Sequence, residues 1–210
     1  MNERITRSDT LPNPSDLRDA YELELRSPKG KPVRLGELVL DKVRHFFCAY
    51  DQDYVRTIAH ALTDSLLKTL PHTNSNDDSN DNNNNPTQLI IIGCGHPALI
   101  VPYVAETAAP FPVYTDPRGA LYEKLHMTRT VRSIMRPPSY ATVGFWRALG
   151  TTFRQMAAAG WRGVLGGGGS WAQNGGEWVF RGGKCVYVHR MENVSDHLTA
   201  EELMRVMGER

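Results

Sequence analysis

Three cysteines stand far apart in the chain, at Cys48, Cys94 and Cys185, and the first two each close a stretch with the apolar pattern of a strand. Cys48 follows Arg44-His45-Phe46-Phe47 and precedes Asp51-Gln52-Asp53, acidic residues suited to capping a helix. A thiol at a strand-to-helix junction meets the positive end of the helix dipole, which lowers its pKa from about 8.5 and makes it a nucleophile at neutral pH. Arg44 and His45, just upstream, are the groups that would stabilise a thiolate or a substrate there. The same residues equally suit a plain core position, with Cys48 packed between Phe47 and Ala49.

Asp51 stands where a C-x-x-C motif has its second cysteine, so Cys48-Ala49-Tyr50-Asp51 cannot form a disulfide within itself. A carboxylate there raises the thiol pKa by repulsion, serves it as general acid or base, or simply caps the helix; the pattern leaves all three open. Gly93-Cys94-Gly95-His96 reads as a tight turn opening a helix, with glycines that let a ligand approach backbone amides. Cys94 is a candidate to resolve a sulfenic acid on Cys48. The catalytic candidates are therefore Cys48, Asp51 and Cys94, and the substrate-binding candidates Arg44, His45, Gly95 and His96.

No G-x-G-x-x-G fingerprint is present, and His45, His96, His189 and His197 show neither zinc-finger nor H-E-x-x-H spacing, so neither cofactor nor metal is expected. Cys185, in an alternating stretch, reads as core packing. His189-Arg190-Met191 and Asp196-His197 read as a helix entry with surface hydrogen bonds.

The elements that must position these residues follow from periodicity. Residues 1–19 carry turn formers and no period, which predicts a flexible lead-in, with order beginning near Ala20. Tyr21, Leu23 and Leu25 alternate with glutamates, then Pro28-Lys29-Gly30 turns the chain toward Val33 and Leu35, an N-terminal hairpin. Val39 to Phe47 reads as a strand, and Val55, Ile58, Leu62 and Leu66 as one face of the helix after it. Residues 72–87 are almost wholly Asn, Asp, Ser and Thr, an inserted disordered loop. Gln88 to Gly93 reads as a strand buried on both faces, His96-Pro97 as the start of a helix, and Phe111 to Thr115 as a further strand closed by Asp116-Pro117-Arg118-Gly119. Residues 141–159 have helical spacing and precede the glycine cluster Gly163 to Gly169. Gly176 to Phe180 and Lys184 to His189 flank Arg181-Gly182-Gly183 as a hairpin, and Thr199 with Glu202 forms a capping box for the last helix.

This order predicts an α/β fold, a mixed central sheet flanked by helices. Right-handed crossover sets the strand ending at Cys48 beside the strand ending at Gly93, both at the carboxyl edge where such sheets bind ligands.

The 210 residues carry 24 Lys and Arg against 23 Asp and Glu, so the chain is one near-neutral domain without a basic patch for nucleic acid or an anionic membrane. Its 40% hydrophobic content excludes disorder of the whole chain, and its longest apolar run, Leu89 to Ile92, is too short to span a bilayer. No secretory leader pattern precedes Pro14, and an odd number of scattered cysteines points to a reducing compartment, the cytoplasm by default.

Taken in order, Arg44-His45-Phe46-Phe47-Cys48, Ile91-Ile92-Gly93-Cys94-Gly95, Pro110 to Pro117, Leu121-Tyr122, Met127 to Thr130, Gly175 to Phe180 and His189-Arg190-Met191 with Asp196-His197 resemble the peroxiredoxin-like 2 group, AhpC/TSA-type proteins, and most strongly its fungal members. The resemblance covers roughly residues 20–208. It implies a thioredoxin-like fold and a redox thiol at Cys48, where the group has the first cysteine of its C-x-x-C. Asp51 replaces the second, and the segment between Leu38 and Arg44 is shorter than the group's strand. The P-x-x-x-T-x-x-C of typical peroxiredoxins is replaced by Asp41 and His45 at those offsets, and no proline follows Pro138 to supply the cis-proline of thioredoxins. The implied function is an antioxidant or thiol oxidoreductase acting through Cys48 on a peroxide or small molecule, recycled by Cys94 or an external thiol reductant. The alternatives are a redox-degenerate member serving as an accessory or non-redox enzyme on a small molecule in fungal secondary-metabolite biosynthesis, and a protein-interaction module.

Overall fold

The computed structural model describes residues 9–39, 42–46, 54–61, 88–127, 173–193 and 196–208. Cys48, Asp51, the polar loop at 72–87, the helix expected at 141–159 and Gly163 to Gly169 lie outside them.

Ordered structure begins ahead of Ala20. Helix α1 spans Pro14–Tyr21, started by Asn13, whose side chain accepts from the Ser15 N–H at 2.8 Å, and by Pro14, whose missing N–H costs nothing in a first turn. Leu17, Ala20 and Tyr21 recur at i, i+3 and i+4 and pack on the core. The alternation through Tyr21, Leu23 and Leu25 therefore overstates the first strand. β1 is only Glu24–Arg26, paired antiparallel with β2, Pro32–Arg34. Gly30, at φ 73°, takes the left-handed turn position between them.

A single helical turn, α2 at Leu35–Leu38, leads to β3, Lys42–Phe46. α3 covers 54–61, where Tyr54, Val55 and Ile58 are buried. β4 is Gln88–Gly93. A 3₁₀ turn at Pro97–Leu99 runs into α4, Ile100–Thr107, and is followed by β5, Val113–Thr115, and α5, Ala120–Lys124. β6, Gly176–Arg181, and β7, Lys184–Arg190, join through Gly182-Gly183, both with positive φ, the two-residue turn that matches strand twist. α6, Ala200–Gly208, starts at the expected capping box: the Thr199 N–H donates to Glu202 Oε2 at 2.8 Å and the Glu202 N–H to Thr199 Oγ1 at 3.2 Å.

Among the described residues seven strands form one sheet, in the order β2-β1-β5-β4-β3-β6-β7. β5, β4 and β3 run parallel; β6 is antiparallel to β3, and β7 to β6. Period-two alternation along β4 sends Ile90 and Ile92 to one face and Leu89 and Ile91 to the other. The first pair meets Trp178, Phe180, Leu35, Leu38, Leu121 and Tyr122 beneath α1, α2 and α5. On the opposite face Leu89 packs with Tyr54, Ile58 and Val179 and with Leu203 and Val206 of α6, and Ile91 with Val55, Ile100 and Val113. Burying each such side chain stabilises the fold by about 1.5–3 kcal/mol. Three parallel strands, an antiparallel hairpin and helices on both faces make this a thioredoxin-like fold.

Candidate active site at the carboxyl edge of the sheet

β3 and β4 pair in parallel from Lys42↔Gln88 to Phe46↔Ile92, so their carboxyl ends lie side by side. Arg44 stands opposite Ile90 on one neighbour and Trp178 on the other; His45 stands opposite Ile91 and Glu177. Beyond β4, Gly93 pairs with Thr115, and the Asp116 N–H donates to the Gly93 carbonyl at 2.7 Å. The Tyr122 hydroxyl donates to the Ile92 carbonyl at 3.1 Å, which fixes the rim from below.

Cys94 and Gly95 are half-buried and His96 is exposed at this rim. Cys94 packs against the cluster around Ile92 and Tyr122. His96 has extended backbone angles, and its Nδ1 accepts from the Ala98 N–H at 3.2 Å, so the imidazole is itself the cap of the turn at Pro97. A ring accepting at Nδ1 carries its proton on Nε2.

Asp116, buried at the same edge, accepts from the Leu121 N–H at 2.7 Å and the Arg118 N–H at 3.2 Å. Burial raises its carboxyl pKa; the donated N–H groups and the Arg118 charge oppose that without cancelling it. Cys185, by contrast, packs on the first core cluster, and burial pushes its thiol up to about 12, which makes it inert at neutral pH.

The expected surface role of His189 and His197 is wrong. The His197 side chain is fully buried, with Nδ1 3.2 Å from Glu177 Oε1 and its ring stacked on Tyr54 of α3. His189 is 16% exposed at its side chain, with Nε2 3.9 Å from Glu177 Oε2, 2.9 Å from the Asp196 carbonyl oxygen and Nδ1 3.2 Å from Asp9 Oδ1. Next to it, Arg190 lies over the Trp178 ring at 4.8 Å and donates to the carbonyls of Leu125 and Thr10. Glu177 was legible in principle: a carboxylate inside the apolar run Gly176 to Phe180 is buried only with partners. Among the described residues no three His, Cys, Asp or Glu side chains are arranged to hold a metal ion.

A family model described as AhpC/TSA antioxidant enzyme matches residues 75–193, more than half of the chain. The chain belongs to this AhpC/TSA family. The matched span of this AhpC/TSA member contains β4 to β7, Cys94 and Glu177. No curated protein sequence matches the chain. Among solved structures, the chain is similar to a secreted disulfide oxidoreductase of Mycobacterium tuberculosis, at 9% identity and a TM-score of 0.45 over 93% of this chain and 98% of that one. It is also similar to peroxiredoxin Q of Xanthomonas campestris, at 11% identity and a TM-score of 0.41 over 60% and 70% of the two chains. A peroxidoxin of Mycobacterium tuberculosis matches at 11% identity and a TM-score of 0.35 over 65% and 92%. No described helix of the AhpC/TSA member is long and apolar enough to cross a membrane.

Proposed function

We propose that this AhpC/TSA protein is a thiol-dependent antioxidant oxidoreductase in which Cys48 reacts with a peroxide and Cys94, or an external thiol, recycles it. One observation supports the pairing above others. Phe46 and Ile92 are partners across two parallel strands, and each is followed two residues later in sequence by a cysteine, Cys48 and Cys94. Adjacent strands run about 4.8 Å apart, so the strand ends that lead to the two cysteines lie side by side.

The chemistry balances with thiols alone. The Cys48 thiolate attacks one peroxide oxygen, the O–O bond breaks, and the departing alkoxide takes a proton, leaving an alcohol and a sulfenic acid. The Cys94 thiol attacks that sulfur, a disulfide forms and water leaves. Two equivalents of an external thiol then reduce the disulfide by exchange. Arg44 and His45 are the proposed stabilisers of thiolate and substrate, Asp51 the acid or base for the leaving oxygen, and Gly95 and His96 the substrate wall. A reducing compartment, the cytoplasm, suits such a thiol.

Peroxide consumption in the presence of a small thiol tests the reading. Cys48→Ser is expected to abolish it. With the thiol left out, Cys94→Ser is expected to keep one rapid turnover and accumulate a sulfenic acid that dimedone traps. Unchanged consumption by Cys48→Ser would overturn the proposal.

A further inference from the structure

Both ring nitrogens of His189 face oxygens that only accept: Nδ1 lies 3.2 Å from the Asp9 carboxylate and Nε2 lies 2.9 Å from the Asp196 backbone carbonyl. A neutral imidazole has one N–H and one lone pair, so it satisfies one of these and turns its lone pair against the other. An imidazolium donates to both. The acids facing the ring come from every element around it: Asp9 ahead of α1, Glu177 of β6 at 3.9 Å, Asp196 Oδ1 of the β7–α6 loop at 3.8 Å, and Glu202 of α6, whose carboxyl feels the imidazole's charge. His197 faces the other oxygen of Glu177, and Arg190 follows in the chain.

We propose that protonated His189 is a clasp fastening the chain at Asp9 to the end of β7 and to the loop at Asp196, and that the clasp opens when the ring loses its proton. Burial works against the charged ring, but Glu177, the Asp196 carbonyl and carboxylate, and Asp9 together outweigh it and raise the pKa above its ordinary value. The sign follows. A raised histidine pKa means that the clasp contributes fully below about pH 6.5 and is lost as pH climbs through the raised value.

The neighbouring residue supplies a pin that does not titrate. Arg190 Nη1 donates to the Thr10 carbonyl at 2.7 Å and Nε to the Leu125 carbonyl at 2.8 Å, and a guanidinium keeps its charge throughout this range. Among the described contacts the strap is thus fastened at two adjacent residues. Of these the His189 fastening responds to pH, and its opening removes a cation from beside Glu177, which stands opposite His45 on the sheet.

Nitrogen NMR of the full chain labelled in its histidine rings, from pH 5 to 9, tests the clasp. His189 is expected to show two N–H groups at pH 6 and a midpoint above 6.5. Asp9→Asn, a change outside the core, is expected to lower that midpoint by about 0.5. Amide exchange at residues 9–13, corrected for intrinsic base catalysis, is expected to quicken about tenfold across the midpoint. In Asp9→Asn this exchange is expected to be fast at every pH. A singly protonated ring at pH 6, an unmoved midpoint in Asp9→Asn, or exchange at 9–13 that ignores pH would each overturn the clasp.

Discussion

His197 lies flat against Tyr54, ring centroids 4.2 Å apart and 16° from parallel, while its Nδ1 faces the buried carboxylate of Glu177 at 3.2 Å. The stack joins the loop before α6 to the first described turn of α3, and the carboxylate joins both to β6. Replacing His197 with phenylalanine keeps an aromatic ring against Tyr54 but removes the nitrogen that Glu177 meets. The expected cost is about 1–3 kcal/mol in urea unfolding, the range for a buried acceptor that loses its hydrogen-bond donor. Adding Glu177→Gln to His197→Phe should recover part of this loss, because an amide is less costly to bury than a carboxylate. Strict additivity of the two changes would show that the groups are energetically independent.

The Cys185 thiol, pushed up to about 12 by burial, holds only about one part in 10⁴ as thiolate at pH 8. Maleimide at that pH should label Cys185 in the native protein at least about 100-fold more slowly than in the urea-unfolded chain. Mass spectrometry of peptides after timed quenching reads the ratio. Equal rates would mean that the thiol is neither buried nor perturbed.

The cap of α6 should be sensitive to acid. The Thr199 N–H and hydroxyl both donate to Glu202 at 2.8 Å and hold its carboxyl below the usual range. A lowered carboxyl pKa contributes stability that is present above pH 4.5 and disappears as pH falls through the lowered value. Thr199→Ala should cost about 1 kcal/mol at pH 7 and flatten the fall in stability between pH 5 and 3. Thermal unfolding across that interval, compared between the two proteins, measures it.

Several local signals are legible because the partner lies a few residues away. Thr199 meets Glu202, Gly182-Gly183 turns β6 into β7, and a helical turn starts at Pro97. The start of α1 was missed because two patterns overlap: the Asn13-Pro14 start signal precedes an alternation at Tyr21, Leu23 and Leu25 that a strand would share. Gly176 shows a third kind of signal. A Cβ there would lie 2.5 Å from the His189 carbonyl oxygen, so the glycine of the Gly175-Gly176-Glu177 run reflects the close approach of β7, which only the paired strands reveal.

The sequence by itself determined most of the described element types, the parallel pairing of the strands that precede Cys48 and Cys94, and the family resemblance. These rest on periods of two and 3.6 residues and on caps within one turn. Tertiary structure alone decided that Glu177, His189 and His197 share a buried cluster and that Asp9 reaches His189 across 180 residues. Periodicity tells which face of a strand is covered; it does not tell which distant side chain covers it, because that depends on strand order and on the path of the chain between the strands.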